Sequence, residues 1–378
     1  MRKRGKDAYD YIGTHVDDLM VVSRDVQGIF KELEVAYTFK STDKPKYHLG
    51  VDYHFMGNKR PGGTYHVGSG TYVNEALTKV EGLIKEKLHY SKTPIPAGWH
   101  PELDNSTLLD SKGHTLYMQL IGIGLWINSI GRLDISFAIS SLSRYSAAPR
   151  VNHLKELIGV FGYLKRRPDR RISIDSGKPE LKGDTVGERR DLSMYYQGSE
   201  EDIGTHPTSV GAPLNTSIWF DSDHAHDKVT FKSISGLIIF VGKTPVKWTS
   251  TRQGAIKSST YGAEFMAGRS AVEEAKAIRY MLRSLGCELD GSTQIYGDNL
   301  GMLQSSTIPD STLKKKWEQI SFHIVREGTA AGIVDPRKVP TTENIADALT
   351  KSLPGSTIWS LLSGVYVSEQ VVGKRKRS

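Results

Sequence analysis

Cysteine is nearly absent from this chain. Cys287 stands alone among 378 residues, which excludes an intrachain disulfide framework and fits a reducing compartment. Long apolar runs are missing as well. No stretch approaches the roughly 20 residues needed to span a bilayer, and the opening Met1-Arg2-Lys3-Arg4-Gly5-Lys6-Asp7 lacks the apolar centre of a signal peptide. No membrane partner is therefore expected. Acids are outnumbered, with 42 Asp and Glu against 50 Lys and Arg, and the resulting charge of +8 suggests a polyanionic partner. What remains is ordinary for a water-soluble fold, 38% hydrophobic and 24% charged. At this length the chain can bury a sizeable core and is expected to hold more than one domain.

Four acids stand where the apolar pattern leaves little room for them. Asp221 follows Ser217-Ile218-Trp219-Phe220 and Asp298 follows Gln294-Ile295-Tyr296-Gly297, two short apolar runs that read as strands. Glu264, in Tyr261-Gly262-Ala263-Glu264-Phe265-Met266-Ala267, and Asp347, in Asn344-Ile345-Ala346-Asp347-Ala348-Leu349, lie in helical patterns. Helices packed on one sheet would bring all four together. Two such charges about 4 Å apart repel by roughly 4 kcal/mol at an effective dielectric of about 20, so a cation has to neutralise them. An oxygen-only donor set without His or Cys suits Mg2+, with Mn2+ as a substitute. A pair of such ions supports in-line phosphodiester hydrolysis.

The order Asp, Glu, Asp, Asp on strand, helix, strand and helix resembles the ribonuclease H fold. The strings at 258–267, 296–299, 321–327 and 339–351 resemble, more narrowly, the ribonuclease H domain of copia-type LTR retrotransposons. That resemblance implies a mixed α/β domain with a five-stranded sheet and flanking helices. It implies Asp221, Glu264, Asp298 and Asp347 as catalytic ligands of two Mg2+ ions, and an RNA:DNA hybrid as substrate. Asp223 matches a second acid of the family's first motif and is not expected to be catalytic. An integrase-like reading fails, because that chemistry expects two Asp and then a Glu.

Toward the N-terminus, Asp17 and Asp18 separate two apolar stretches, as at a hairpin tip. Tyr11-Ile12-Gly13-Thr14-His15-Val16-Asp17-Asp18 resembles the Tyr-Val-Asp-Asp motif of reverse transcriptases, with His15 in place of the tyrosine. Lys46–Asp52, Thr71–Leu77, Thr93–Pro96, Tyr117–Gly122 and Gly131–Ala138 resemble successive segments of the same Pol polyprotein. From the residues alone, 117–165 reads as a helix pair broken at Pro149. The expected organisation is a partial palm (1–60), a thumb-like segment (61–110), a helical connection (111–175), a linker or mobile loop (176–215), the ribonuclease H domain (216–362) and a basic tail (363–378).

With only 16 residues ahead of Asp17, a third palm Asp and the fingers are missing, so polymerisation by this chain alone is not expected. The missing polymerase half, or a second copy, is a further expected partner. Lys314, Lys315 and Lys316 are candidate nucleic-acid contacts. His224 and His226 read as loop histidines, since their spacing does not fit zinc. The expected setting is cytoplasmic, in a virus-like particle for an intact element. The terminal Lys374-Arg375-Lys376-Arg377 leaves a nuclear address as an alternative. A catalytically inactive nucleic-acid-binding relic is the alternative to an active nuclease.

Overall fold

The structure, a computed structural model, describes residues 1–4, 8–57, 64–179, 184–185, 191–200, 204, 206–313 and 318–367. The chain opens with a three-stranded antiparallel sheet of β1 (Arg2–Arg4), β2 (Ala8–His15) and β3 (Asp18–Val22). His15 pairs with Asp18, so Val16 and Asp17 form the two-residue turn. The acidic pair does sit at a hairpin tip, exposed. Helix α1 (Val26–Leu33) follows, its first turn capped by Asp25, whose Oδ1 accepts the Gly28 N–H at 2.9 Å.

Strands β4 (Tyr47–His48), β5 (Val51–Met56) and β6 (Thr64–Gly68) lead into helices α2 (Gly70–Ile84), α3 (Ser111–Ser129), α4 (Ser136–Ser143) and α5 (Val151–Arg166). Strand β7 (Arg171–Ile174) then returns to pair with β6, completing a four-stranded sheet. The helices bury Val73, Val80, Leu120, Ile127, Ile139, Leu157 and Phe161 in one core. Where periodicity suggested a helix pair, there are three helices over 111–166. Gly131 takes φ +118 and ends the first segment. A 3-10 turn over Leu133–Ile135 then carries a fully buried Arg132–Asp134 ion pair before α4 begins.

A third, six-stranded sheet has the order β11-β10-β9-β12-β13-β8. Its strands are β8 (Asp184–Thr185), β9 (Thr216–Asp223), β10 (Ile234–Val241), β11 (Thr244–Arg252), β12 (Thr293–Gly297) and β13 (Val334–Lys338). β9, β10 and β11 are antiparallel neighbours, whereas β12 runs parallel to both β9 and β13. Gly242, at φ +60, and Lys243 make the β10–β11 turn. Successive strand residues face opposite sides, so Ile218 and Phe220 point to α6 (Thr260–Ser284), α7 (Leu300–Thr307) and α8 (Gln319–Ala330). Trp219 points the other way, into a third core with Ile238, Phe240, Leu349 and Leu362 beside α9 (Gly355–Leu361). Leu133 and Ile172 belong to that third core too, so the connection and the six-stranded sheet share buried surface.

Three expectations change here. The segment 176–215, read as a linker, supplies β8 as a sixth, two-residue edge strand. It also pins Glu200 to Arg279 of α6 through two 2.7 Å contacts. The buried Arg279 requires a counter-charge, a long-range need that local composition does not reveal. Asp347, expected two turns inside a helix, lies in a 3-10 turn over Ile345–Leu349, and α9 starts only at Gly355. Val365 and Tyr366, assigned to the tail by sequence, are buried, and the Val367 N–H reaches the Arg171 carbonyl at 2.8 Å. The remaining tail, 368–378, lies outside the described residues.

Gly236, opposite Asp221 in β10, lets the Asp347 turn lie directly on the sheet. A Cβ there would stand 2.8 Å from Leu349 Cβ and 2.8 Å from Thr350 Cγ2. Gly236→Ala is therefore expected to cost about 1–3 kcal/mol and to displace that turn. Thermal denaturation beside a hydrolysis assay measures both effects, and an unchanged melting temperature with unchanged activity would refute the packing argument.

Candidate active site

β9 and β12 are adjacent and parallel, so their C-terminal ends open on the same edge of the sheet. Asp221 lies near the end of β9, and Asp298 directly follows the last residue of β12. Glu264 comes from the second turn of α6, whose start is set by Ser259; its Oγ accepts the Gly262 N–H at 3.2 Å. One carboxylate oxygen from each of Asp221, Glu264 and Asp298 lies within 4.8 Å of the other two. Glu264 is 3% exposed, and its Oε2 is buried without a hydrogen-bond partner.

Asp347 stands beside this group rather than in it. Asn344 caps its turn, accepting the Ala346 N–H at 3.2 Å, and donates to the Phe220 carbonyl at 3.0 Å. The turn is thereby tied to β9 one residue before Asp221. Lys351 Nζ is 2.9 Å from Asp347 Oδ1 and 3.5 Å from Asp221 Oδ2. The Thr350 hydroxyl donates to the same Asp221 oxygen. Thr350 and Lys351 had no role in the sequence reading, although the spacing Asp347 to Lys351 is a common ion-pair spacing.

Burial pushes the Asp221 carboxyl up to about 7; the Lys351 ammonium works against this and the Asp347 carboxylate adds to it. Burial, reinforced by the Asp221 and Asp298 carboxylates, raises Glu264 well above the usual range. For Lys351, burial disfavours the charge, but Asp221 and Asp347 outweigh it and hold the ammonium above its ordinary value.

A stability prediction follows from Asp221. Its folded value of about 7 lies above the ordinary 3.8, so its contribution is fully present below about pH 4 and lost as pH rises through about 7. In chelator, stability is expected to fall over that window by at most roughly 4 kcal/mol. Mg2+ should remove the slope by favouring the ionised carboxylates, and denaturant midpoints at several pH values measure this. A flat profile in chelator would contradict the assignment of a strained carboxylate cluster.

Other candidate residues fall elsewhere. Asp17 and Asp18 occupy the exposed N-terminal hairpin, with Asp18 Oδ2 3.7 Å from His48 Nδ1. Among the described residues they join no metal-competent group. His226 Nδ1 donates to Asp223 at 2.7 Å, and His224 Nε2 meets the Lys257 carbonyl at 2.9 Å, so both histidines brace the loop after β9. Lys314, Lys315 and Lys316 lie outside the described residues. The neighbouring Glu318 is buried in an ion pair with Lys257, Nζ to Oε2 2.9 Å.

The donor set fits a hard divalent cation. It offers only carboxylate oxygens, one of them buried and unsatisfied, at a distance a single ion can bridge. A sheet in which β11, β10 and β9 are antiparallel and β9, β12 and β13 parallel, with acids at the ends of β9 and β12 and on the intervening helix, defines a ribonuclease H-like fold.

No family model matches the chain. It is 24% identical over 369 residues, 97% of its length, to a retrovirus-related Pol polyprotein from transposon RE1 of Arabidopsis thaliana. It is also 24% identical over 346 residues to the polyprotein from transposon RE2 of the same plant. The chain spans 22% and 21% of those two relatives. A putative transposon Ty5-1 protein of Saccharomyces cerevisiae is 24% identical over 70% of the chain and 73% of its own length. Among solved structures, LC11-RNase H1 in complex with an RNA/DNA hybrid gives TM-score 0.30 at 14% identity over 36% of this chain and 94% of that one. The N-terminal RNase H domain of rv2228c from Mycobacterium tuberculosis gives 0.29 at 12% identity, over 40% and 97%. Along almost its whole length the chain is thus similar to retrovirus-related Pol polyproteins of transposons.

Proposed function

We propose that this chain carries a retrotransposon ribonuclease H that hydrolyses the RNA strand of RNA:DNA hybrids, joined to reverse-transcriptase-derived segments that do not polymerise by themselves. The observation that supports this best is the gathering of Asp221, Glu264 and Asp298 within 4.8 Å at one sheet edge, with the Glu264 Oε2 unsatisfied. These three residues and Asp347 would hold Mg2+. Bound there, such ions supply an activated water and stabilise the leaving oxygen of the phosphodiester.

The chain's own contribution is rigidity and charge. Adjacent parallel strands fix Asp221 and Asp298, α6 fixes Glu264 against the sheet, and the Asn344 side chain fixes the Asp347 turn. Selectivity for a hybrid would come from groove shape and 2′-hydroxyl contacts. For polymerisation, by contrast, the exposed Asp17 and Asp18 have no third acid beside them among the described residues. Among those residues no helix is long and apolar enough to cross a membrane. The cytoplasm, within the particle of an intact element, is the setting we propose.

The test is an end-labelled RNA:DNA hybrid incubated with the whole chain in Mg2+ or in chelator. The whole chain is required because Leu133 and Ile172 complete a core of the six-stranded sheet. Mg2+-dependent cutting of only the RNA strand is expected. Binding without cutting by a folded chain would favour a relic that retains the surface and has lost turnover.

A further inference from the structure

The four acids divide unevenly. Asp221, Glu264 and Asp298 each offer an oxygen within 4.8 Å of the other two, whereas Asp347 is not part of that group and is bridged to Asp221 by the Lys351 ammonium. The ammonium lies 2.9 Å from one carboxylate and 3.5 Å from the other. A divalent ion joining Asp221 to Asp347 would need the same space, since Mg2+ binds carboxylate oxygens at about 2.1 Å. Two cations cannot occupy it together.

We propose that Lys351 is a built-in counter-ion holding the position between Asp221 and Asp347, which a second divalent ion takes only by displacing it. This rests on the metal-dependent reading above. Ion loading is then sequential. The first ion enters the three-acid pocket, where the Glu264 Oε2 has no hydrogen-bond partner and three carboxylate oxygens lie within 4.8 Å of one another. The second ion meets an occupied place and has to push Lys351 outward.

Charge and geometry agree on this. Four carboxylates with one ammonium carry −3, one divalent ion reduces that to −1, and a second with the ammonium still in place would leave a net +1 in a partly buried site. The Lys351 side chain is 32% exposed, whereas Asp221 is 2% exposed, so the lysine has a route to solvent that the carboxylate lacks. Its flexible stem allows the ammonium to leave without moving the turn that carries Asp347. Thr350, donating to Asp221 from the same segment, keeps that carboxylate oriented when the ammonium departs.

The experiment is calorimetric titration of the whole, hybrid-free chain with Mn2+, comparing wild type, Lys351→Met and Lys351→Arg, with circular dichroism to verify folding. Wild type should bind a first ion and then a second at least about tenfold more weakly, as a retained cation opposes it. Lys351→Met should tighten the second ion about tenfold and leave the first within about twofold. Lys351→Arg, which keeps the charge, should stay close to wild type. An unchanged second affinity in Lys351→Met, or a gain of the same size in Lys351→Arg, would overturn the counter-ion role while leaving the metal site itself intact. Should Lys351→Met not fold, a second ion that binds Lys351→Arg as tightly as the first would overturn it equally. Absence of any ion binding by wild type, unchanged in Asp298→Asn, would refute the metal reading from which this one starts.

Discussion

Asp298→Asn is expected to abolish RNA-strand hydrolysis, by at least about a thousandfold in kcat, while making the ion-free protein more stable. These opposite effects have one cause. Asp298 offers an oxygen within 4.8 Å of oxygens from Asp221 and Glu264, and each such pair of charges repels by roughly 3 kcal/mol at an effective dielectric of about 20. Removing one charge relieves the cluster in chelator. The same change deletes a ligand where charge must be stabilised during the reaction, and such electrostatic contributions are commonly the largest single part of catalysis. A denaturation midpoint that rises in chelator, with cleavage of a labelled hybrid lost in Mg2+, is the expected pair of results. A variant retaining more than a tenth of wild-type cleavage would exclude Asp298 from the chemistry.

The second large effect lies away from the acids. Asp134→Ala is expected to destabilise the chain by about 3–5 kcal/mol, because it leaves Arg132 as an uncompensated buried charge. Arg132 and Asp134 side chains are both 0% exposed. Asp134 accepts from Arg132 Nε at 2.9 Å and Nη2 at 2.8 Å, from Tyr163 at 2.9 Å and from Tyr366 at 3.0 Å. Burial alone would raise the Asp134 carboxyl, but the Arg132 charge and these four donors hold it below the ordinary range. Its contribution is therefore present above the usual carboxylate range and lost in acid.

Tyr366 belongs to the core beneath the six-stranded sheet, while Tyr163 comes from α5. Loss of Asp134 should thus loosen the connection from the sheet that bears the acids, lowering hydrolysis together with stability. Replacing the pair as Arg132→Met with Asp134→Leu should recover most of the loss, since no buried charge remains unpaired. Urea denaturation of the single and double variants measures this. A single variant within about 1 kcal/mol of wild type would show the pair to be dispensable.

Much of the site was legible before any fold was known, for a definite reason. Asp221 and Asp298 each end an apolar strand run, and a strand's period of two leaves few places for a buried acid. The N-terminal hairpin was legible likewise, since an acidic pair between two apolar runs has few other solutions. Lys351 was not, because nothing in its neighbourhood along the chain marks it as a site residue. Its role depends on Asp221, 130 positions earlier, and no local pattern conveys that. The same applies to Glu200, read as part of a loop until Arg279 gives it a partner. Asp347 lies between these cases. Its apolar neighbours fit a helix, yet contact with Gly236 and the Asn344 cap on Phe220 hold it in a tighter 3-10 turn.

The amino-acid order by itself determined the two strand runs that end at Asp221 and Asp298 and the helical setting of Glu264, because alternation and helical spacing are local and read directly off the chain. It also determined which acids are candidates, since an Asp or Glu inside an apolar pattern stands out without any fold. Only the tertiary structure decided that three of them converge, that the fourth is held across an ammonium, and that Leu133, Ile172 and Tyr366 bind the connection to the sheet. Those outcomes depend on contacts between residues far apart along the chain, where packing and charge compensation rather than local preference set the geometry.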